Sequence, residues 1–321
     1  MVKQKNIIKE KNLTKLIKIF KEKKVLTKSE LASLSGLSVV TVNSLIKNLL
    51  KEKVIFENEI VKPELGRPAL TFRFNENLKL FLIITMSEEN KKDVIQYCIY
   101  NLYREPVEKF TEESEEINAD TFSQNISKFL VKYPQIETIY FSIPGVEYNN
   151  ELLICDYKNI DKNFPKIIKK KFKQKIFFEN DINAAICGYA KKNNIDILIG
   201  IYIPTKYPPG SGICINGKVF KGAKNLAGEI QYLPLGIDWN NFLYSKQDIQ
   251  KFLINVIKIY MCLFNPSEII IYSEIDFSDI SEKLQKTLKS KHENLMIPNI
   301  SIKKDLKQDI EFGLLDIAIK I

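Results

Sequence analysis

The chain has 321 residues, 45% of them hydrophobic, and a formal charge of +9, and its last 246 residues are long enough for one large or two moderate domains. That charge lies within residues 1–75, which hold 16 Lys and Arg against 7 Asp and Glu, leaving the other 246 residues close to neutral. No run of 18 apolar residues and no apolar stretch before a small-residue cleavage site occurs, which argues against a membrane-spanning or secreted chain and for a soluble, cytoplasmic one.

A basic module joined to an electrically unbiased body is expected to dock on a polyanion, here double-stranded DNA; the plainer alternative is a set of Lys-rich solvated helix faces. Leu13, Leu16, Ile17 and Phe20 recur at helical spacing and give a first helix one apolar stripe, with Lys11, Lys15, Lys18 and Lys21 largely away from it. Thr27 and Glu30 have the spacing of a capping box, so a second helix is expected there, burying Leu31 and Leu34. Gly36 can end it in the left-handed conformation, and Ser38 can cap a third helix that buries Val42, Leu45, Ile46 and Leu49. This order is that of a helix-turn-helix. Ser38, Val39, Val40, Asn43, Ser44 and Lys47 are then the groove-facing set, with Asn43 suited to an adenine edge, a valine to a thymine methyl and Lys47 to a phosphate. The alternative is the surface helix of an ordinary bundle.

After the helices the period changes. Val54–Phe56 and then Leu70, Phe72 and Phe74 predict two antiparallel strands, a wing. Gly66-Arg67-Pro68 between them stiffens the chain around Arg67, which suits a narrow minor groove, unless the segment is a bare surface turn.

The body alternates strands and helices. Leu80–Met86 and Val94–Leu102 read as a hairpin, Glu108–Glu116 as a charged loop or exposed helix start, Phe122–Tyr133 as a helix and Ile136–Ile143 as a strand. Further on, helices are predicted at Ile182–Lys192, Lys246–Phe264 and the carboxyl end, and strands at Ile195–Ile203, Ile213–Ile215 and Glu268–Tyr272. The five cysteines, 98, 155, 187, 214 and 262, form no C-x-x-C pair and His292 is the sole histidine, which argues against a disulfide framework and a Cys/His zinc site.

The sequence order helix-turn-helix, Gly66-Arg67-Pro68, Pro144-Gly145, Glu179-Asn180-Asp181, Gly210-Ser211-Gly212, Asn216-Gly217, Gly222 and Ala227-Gly228-Glu229 resembles the ROK family. That family unites bacterial sugar-responsive repressors with sugar kinases, and the resemblance covers nearly the whole chain. It implies an α/β protein with an N-terminal winged helix-turn-helix (1–75) joined to a two-lobed, actin-like, sugar-kinase-like body. The lobes are expected at 76–194 and 195–321, the C-terminal helix returning to the first, with assembly as a homodimer or dimer of dimers. Asp181 matches the position of the family kinases' catalytic base and Asn180 a sugar-binding partner; with Glu229 they form a set that can pair with vicinal hydroxyls. Their alternative roles are local: Asp181 and Asn180 in the cap and turn of the helix, Glu229 facing solvent.

The family's phosphate-holding parts do not carry over. Ile83–Glu89 lacks the family's Asp and glycine pair, Pro204-Thr205-Lys206-Tyr207-Pro208-Pro209-Gly210 replaces a Gly-rich loop with one whose prolines remove N–H donors and stiffen the approach, and Tyr272-Ser273 replaces a glycine pair with bulk expected to obstruct approach. The zinc cluster is missing too: Tyr232 stands at the histidine position, and the next cysteine is Cys262. The expected function is a sequence-specific DNA-binding transcriptional regulator, a repressor of carbohydrate-related genes with a sugar or sugar-phosphate effector, no metal, no cofactor and no enzymatic activity. The alternatives are an ATP-dependent sugar kinase and a ligand-free dimerisation platform.

Overall fold

A computed structural model describes residues 2–62, 67–89, 92–113, 118–155, 157, 160–204, 207–239, 245–288 and 294–320. Gly66, Thr205, Lys206, residues 114–116 and His292, on which sequence readings fell, lie outside this set. The chain divides into two compact units, one of Met1–Leu80 with Tyr100–Glu105, the other of Phe81–Ile99 with Pro106–Ile321.

The first unit opens with helix α1 (Val2–Lys23), anchored by fully buried Leu16 and Phe20, and a short strand β1 (Val25–Thr27). Helix α2 (Lys28–Ser35) starts where its sequence dictates: the Thr27 hydroxyl accepts from the Glu30 N–H at 3.2 Å while the Glu30 carboxylate accepts from the Thr27 N–H at 2.7 Å. Those bonds hold the Glu30 carboxyl below its ordinary range. Gly36 ends α2 at φ 65°, a left-handed conformation that costs glycine little, and the Ser38 hydroxyl accepts from the Thr41 N–H to start α3 (Val39–Lys51). The two helices turn through 113° across this break. Helix α3 buries Val42, Leu45, Ile46 and Leu49. Leu34 was expected inside but is 48% exposed: in an eight-residue helix only the Leu31 and Ser35 side reaches the core. Strands β2 (Ile55–Val61) and β3 (Ala69–Phe74) pair antiparallel with a bulge between Glu57 and Ile60, and β1 adds to the other edge of β3, which buries Phe72 and Phe74.

The second unit holds two five-stranded sheets. The first runs β10-β7-β4-β5-β6, built from β4 (Leu80–Glu89), β5 (Lys92–Tyr100), β6 (Pro106–Glu113), β7 (Ile136–Ile143) and β10 (Lys175–Asn180). Helices α4 (Ala119–Lys132) and α5 (Phe164–Lys171) supply Phe122 and Phe164, which meet Phe141 and Phe178 in one aromatic cluster. Strand β6 corrects the reading of Glu108–Glu116: its described part is an exposed edge strand, whose charges are what such an edge carries. A small hairpin, β8 (Gly145–Tyr148) and β9 (Glu151–Cys155), follows Pro144.

Helix α6 (Asp181–Asn193) leaves β10 directly and leads to the second sheet, β13-β12-β11-β14-β15. It comprises β11 (Ile197–Ile203), β12 (Gly210–Ile215), β13 (Lys218–Val219), β14 (Glu268–Ser273) and β15 (Asn299–Lys303). Strands β11, β14 and β15 are parallel, β12 antiparallel, and helices α7 (Lys246–Phe264) and α8 (Ile280–Thr287) cover an Ile-rich face of this sheet. The C-terminal helix α9 (Lys307–Lys320) packs on α6, which itself touches strands of both sheets. Gly188 of α6 and Gly313 of α9 meet backbone to backbone, since a Cβ at Gly188 would lie 2.1 Å from the Asp309 carbonyl oxygen. Beside this crossing Lys191 pairs with Asp316, and buried Asp309 accepts from Lys303 at 2.6 Å and the Tyr272 hydroxyl at 3.0 Å. Among the described residues no single helix is long and apolar enough to cross a membrane.

Candidate functional site

The exposed face of α3 carries one candidate surface. Val39 is 52% and Val40 79% exposed, Ser44 and Lys47 are exposed, and Ser38 sits at the helix start with its hydroxyl engaged by Thr41. Two neighbouring valines are thus left in water on a helix that buries its other face. Asn43 departs from the outward placement expected of it: it is half-buried, and its Oδ1 is enclosed without a hydrogen-bond partner among the described residues. Arg67 is exposed beside Pro68, whereas β2 shows Glu57 and Glu59 to solvent, so a phosphate backbone is favoured at α3 and Arg67 and disfavoured along β2.

The second candidate is a cavity of about 80 Å³ in the second unit, which Asn180, Asp181 and Glu229 all line. The β10–α6 junction places the first two. Asn180 is the cap of α6, its Oδ1 accepting from the Asn183 N–H at 3.2 Å and its Nδ2 donating to the Gly145 carbonyl at 3.1 Å. Asp181 is 8% exposed, and its Oδ1 accepts from the Ile182 N–H at 2.6 Å. Asn180 therefore caps the helix while Asp181 accepts from the next N–H, and Asn180 keeps a second N–H able to meet a hydroxyl.

Glu229 arrives from across the cavity. It follows Gly228, whose φ of 97° and whose fit against β12 both demand glycine: a Cβ would lie 2.2 Å from the Ser211 carbonyl oxygen. The Gly228 carbonyl accepts from the Ser211 N–H at 3.0 Å and hydroxyl at 2.7 Å, and the same hydroxyl meets that of Tyr260. Burial pushes the Glu229 carboxyl above its ordinary value, a hydrogen bond from Gln231 at 3.0 Å opposing the shift. Glu229 does not simply face solvent.

Other walls of the cavity come from Tyr157, which the sequence did not assign to a site, and from the altered phosphate loop. Tyr157 and Tyr207, ring centroids 6.0 Å apart, line it with Pro208 and Pro209. They have no spacing that marks them in the sequence, because the segment after the β8–β9 hairpin and the β11–β12 loop bring them together. Tyr272 corrects the expectation that its bulk obstructs the site: it is fully buried, its hydroxyl on Asp309, and the adjacent Ser273 is buried as well. Tyr232 is 70% exposed, and among the described residues no three His, Cys, Asp or Glu gather in a way that could hold a metal ion.

Comparison with known proteins draws on this geometry. The ROK family model matches residues 93–241, a span that includes Asn180, Asp181 and Glu229. The xylose repressor of Bacillus spizizenii is 25% identical over 246 residues, 73% of this chain and 62% of that protein, so the match spans under two thirds of the relative's length. A ROK family transcriptional regulator described as a homolog of the Escherichia coli MLC protein superposes with a TM-score of 0.59 at 18% identity, over 97% of this chain and 99% of that one. A ROK family protein of Streptococcus pneumoniae TIGR4, solved in complex with sucrose, superposes with a TM-score of 0.59 at 13% identity, over 75% of this chain and 98% of that one. The sequence match over residues 93–241 and the shared two-lobed α/β fold agree: that span matches the ROK family, and the chain as a whole has the fold of ROK family proteins.

Proposed function

We propose that this protein is a sequence-specific DNA-binding transcriptional regulator, a repressor of carbohydrate-related genes, in which the first unit is a winged helix-turn-helix and the body binds a sugar. The observation that carries the reading is the pairing in one chain of a capped, sharply turned helix pair exposing Val39, Val40, Ser44 and Lys47 with a cavity lined by Asn180, Asp181 and Glu229. Helix α3 is the groove-entering element, Lys47 contacts phosphate and Arg67 enters the minor groove. The resemblance to a protein named xylose repressor supports a repressor role and makes D-xylose the first sugar to try.

Binding of a sugar releases DNA only to the extent that the sugar prefers the arrangement that does not fit the operator. In a two-fold dimer the two α3 helices meet one groove face about 34–36 Å apart or at a multiple of that distance. The same cavity does not perform phosphoryl transfer in this proposal, because Pro208 and Pro209 occupy its wall with no N–H to offer a phosphate. Selection of genomic fragments at moderate salt, followed by footprinting, tests the DNA reading: one preferred duplex is expected, and recovery of no preferred duplex by an intact dimer overturns it.

A further inference from the structure

We propose that Trp239, the only tryptophan of the chain, is a positioning residue that holds Glu229 in the cavity through Gln231. The proposal builds on reading this cavity as a sugar site. From the end of β13 at Val219 to Trp239 the chain forms no strand, and its regular structure is one three-residue 3-10 turn, Ile230–Tyr232. A segment so poor in backbone pairing is mobile unless side chains secure it. Glu229 nevertheless lies partly buried in the cavity wall, where a displaced carboxylate is of no use to a ligand.

Besides the turn's own backbone bonds and the buried side chain of Ile230, two polar restraints flank it. On one side Ser211 grips the Gly228 carbonyl, as described above. On the other, the carbonyl of Gln231 lies in the short turn, and the Trp239 indole N–H donates to it at 3.0 Å. The Gln231 amide then donates to Glu229 Oε2 at 3.0 Å. The indole is itself fixed, packed edge to face on Phe252 of α7 with centroids 5.0 Å apart at 85°, and Phe252 is a core residue only 2% exposed. A chain of contacts thus runs from the core under α7 through the Gln231 backbone to its side-chain amide and the carboxylate, anchoring the residue from which that amide reaches Glu229. Leu233, Leu235 and Ile237 pack on the same core and hold the segment through apolar contact, whereas the indole N–H grips the Gln231 backbone directly.

The test uses the full-length chain and Trp239→Phe, which keeps a ring against Phe252 and deletes the N–H, beside Gln231→Ala. Hydrogen exchange over residues 226–233 is measured without ligand, and calorimetry is run with D-xylose, D-glucose and sucrose. Loss of one such hydrogen bond predicts exchange roughly two- to tenfold faster in that segment and sugar affinity weaker by a similar factor in both variants, at an unchanged melting temperature. Unchanged exchange in Trp239→Phe overturns the proposal, as does faster exchange with unaltered sugar affinity. Faster exchange in a protein that binds none of these sugars upholds the positioning role and counts against the sugar reading instead.

Discussion

Replacing Gly188 with alanine puts the α6–α9 crossing to the test. On an ordinary helix the change stabilises by about 1 kcal/mol, because alanine loses less backbone entropy. Here the added Cβ would lie 2.1 Å from the Asp309 carbonyl oxygen and 2.8 Å from the Gly313 nitrogen, both backbone atoms that no rotamer change can move. A carbon–oxygen contact relaxes near about 3.3 Å, so the helices must separate by about 1 Å. A gap of that size forfeits roughly a quarter to a half of the dispersion energy of facing atoms, and overpacking of this kind typically costs about 1–3 kcal/mol. Because the contact is with backbone on both helices, the upper end applies, and after the propensity gain a net loss of roughly 1–2 kcal/mol is expected. Gly313→Ala, 2.1 Å from the Ala184 carbonyl, should cost as much, and the double variant less than the sum, since the first change already parts the helices. Urea unfolding followed in the second unit measures this. A Gly188→Ala protein as stable as the wild type, or more stable, refutes the backbone crossing. Since α6 begins at Asp181 and Ile310 of α9 also lines the cavity, the same variant should weaken sugar binding.

Lys47→Ala should weaken binding to specific and unrelated duplexes alike and flatten the salt dependence by about one counterion, whereas Val40→Ala should matter only on sites carrying thymine; uracil-for-thymine duplexes in a gel-shift titration separate the two, and equal losses on both duplexes count against a methyl contact. Arg67→Ala should lose most affinity on operators with narrow A·T-rich flanks, and equal losses on wide and narrow flanks reduce it to a phosphate contact. Glu229 titrates above its ordinary value of 4.5 in the fold, so its contribution to stability is fully present below that value and is lost as pH rises through the raised one. Glu229→Gln should therefore gain stability relative to the wild type above the raised pKa, the gain vanishing below about pH 4.5, and thermal unfolding across that window that shows no such convergence contradicts the burial assigned to it.

The parts of the fold that could be read directly are those where a local rule and the tertiary structure agree. Helix α7 spans Lys246–Phe264 as expected, because Ser245 caps it, an apolar period runs through it and Asn265 turns left-handed after it. Strand β7 is buried almost throughout, and its Ile136, Ile139, Tyr140, Phe141 and Ile143 mark it as a strand ending at Pro144. Strand β6 resisted reading because an exposed edge has no buried face and hence no alternation, and Leu34 because helical spacing does not say how wide a face the core covers. The site divides in the same way. Asn180, Asp181 and Glu229 were named from the sequence and line one cavity, but the inward turn of Asn43, the burial of Tyr272 and the Trp239–Gln231–Glu229 chain depend on packing between segments that no local pattern encodes.

The most direct test of the proposed regulator is a titration of D-xylose and other sugars into the protein bound to its selected operator, read by fluorescence anisotropy, for the wild type and Asp181→Asn. At least one sugar should release the wild-type protein from DNA, while Asp181→Asn binds the operator normally but needs on the order of tenfold more sugar, the loss of a hydrogen bond to a charged group. Release by no sugar, or sugar-dependent transfer of phosphate from ATP that disappears in Asp181→Asn, would contradict the account.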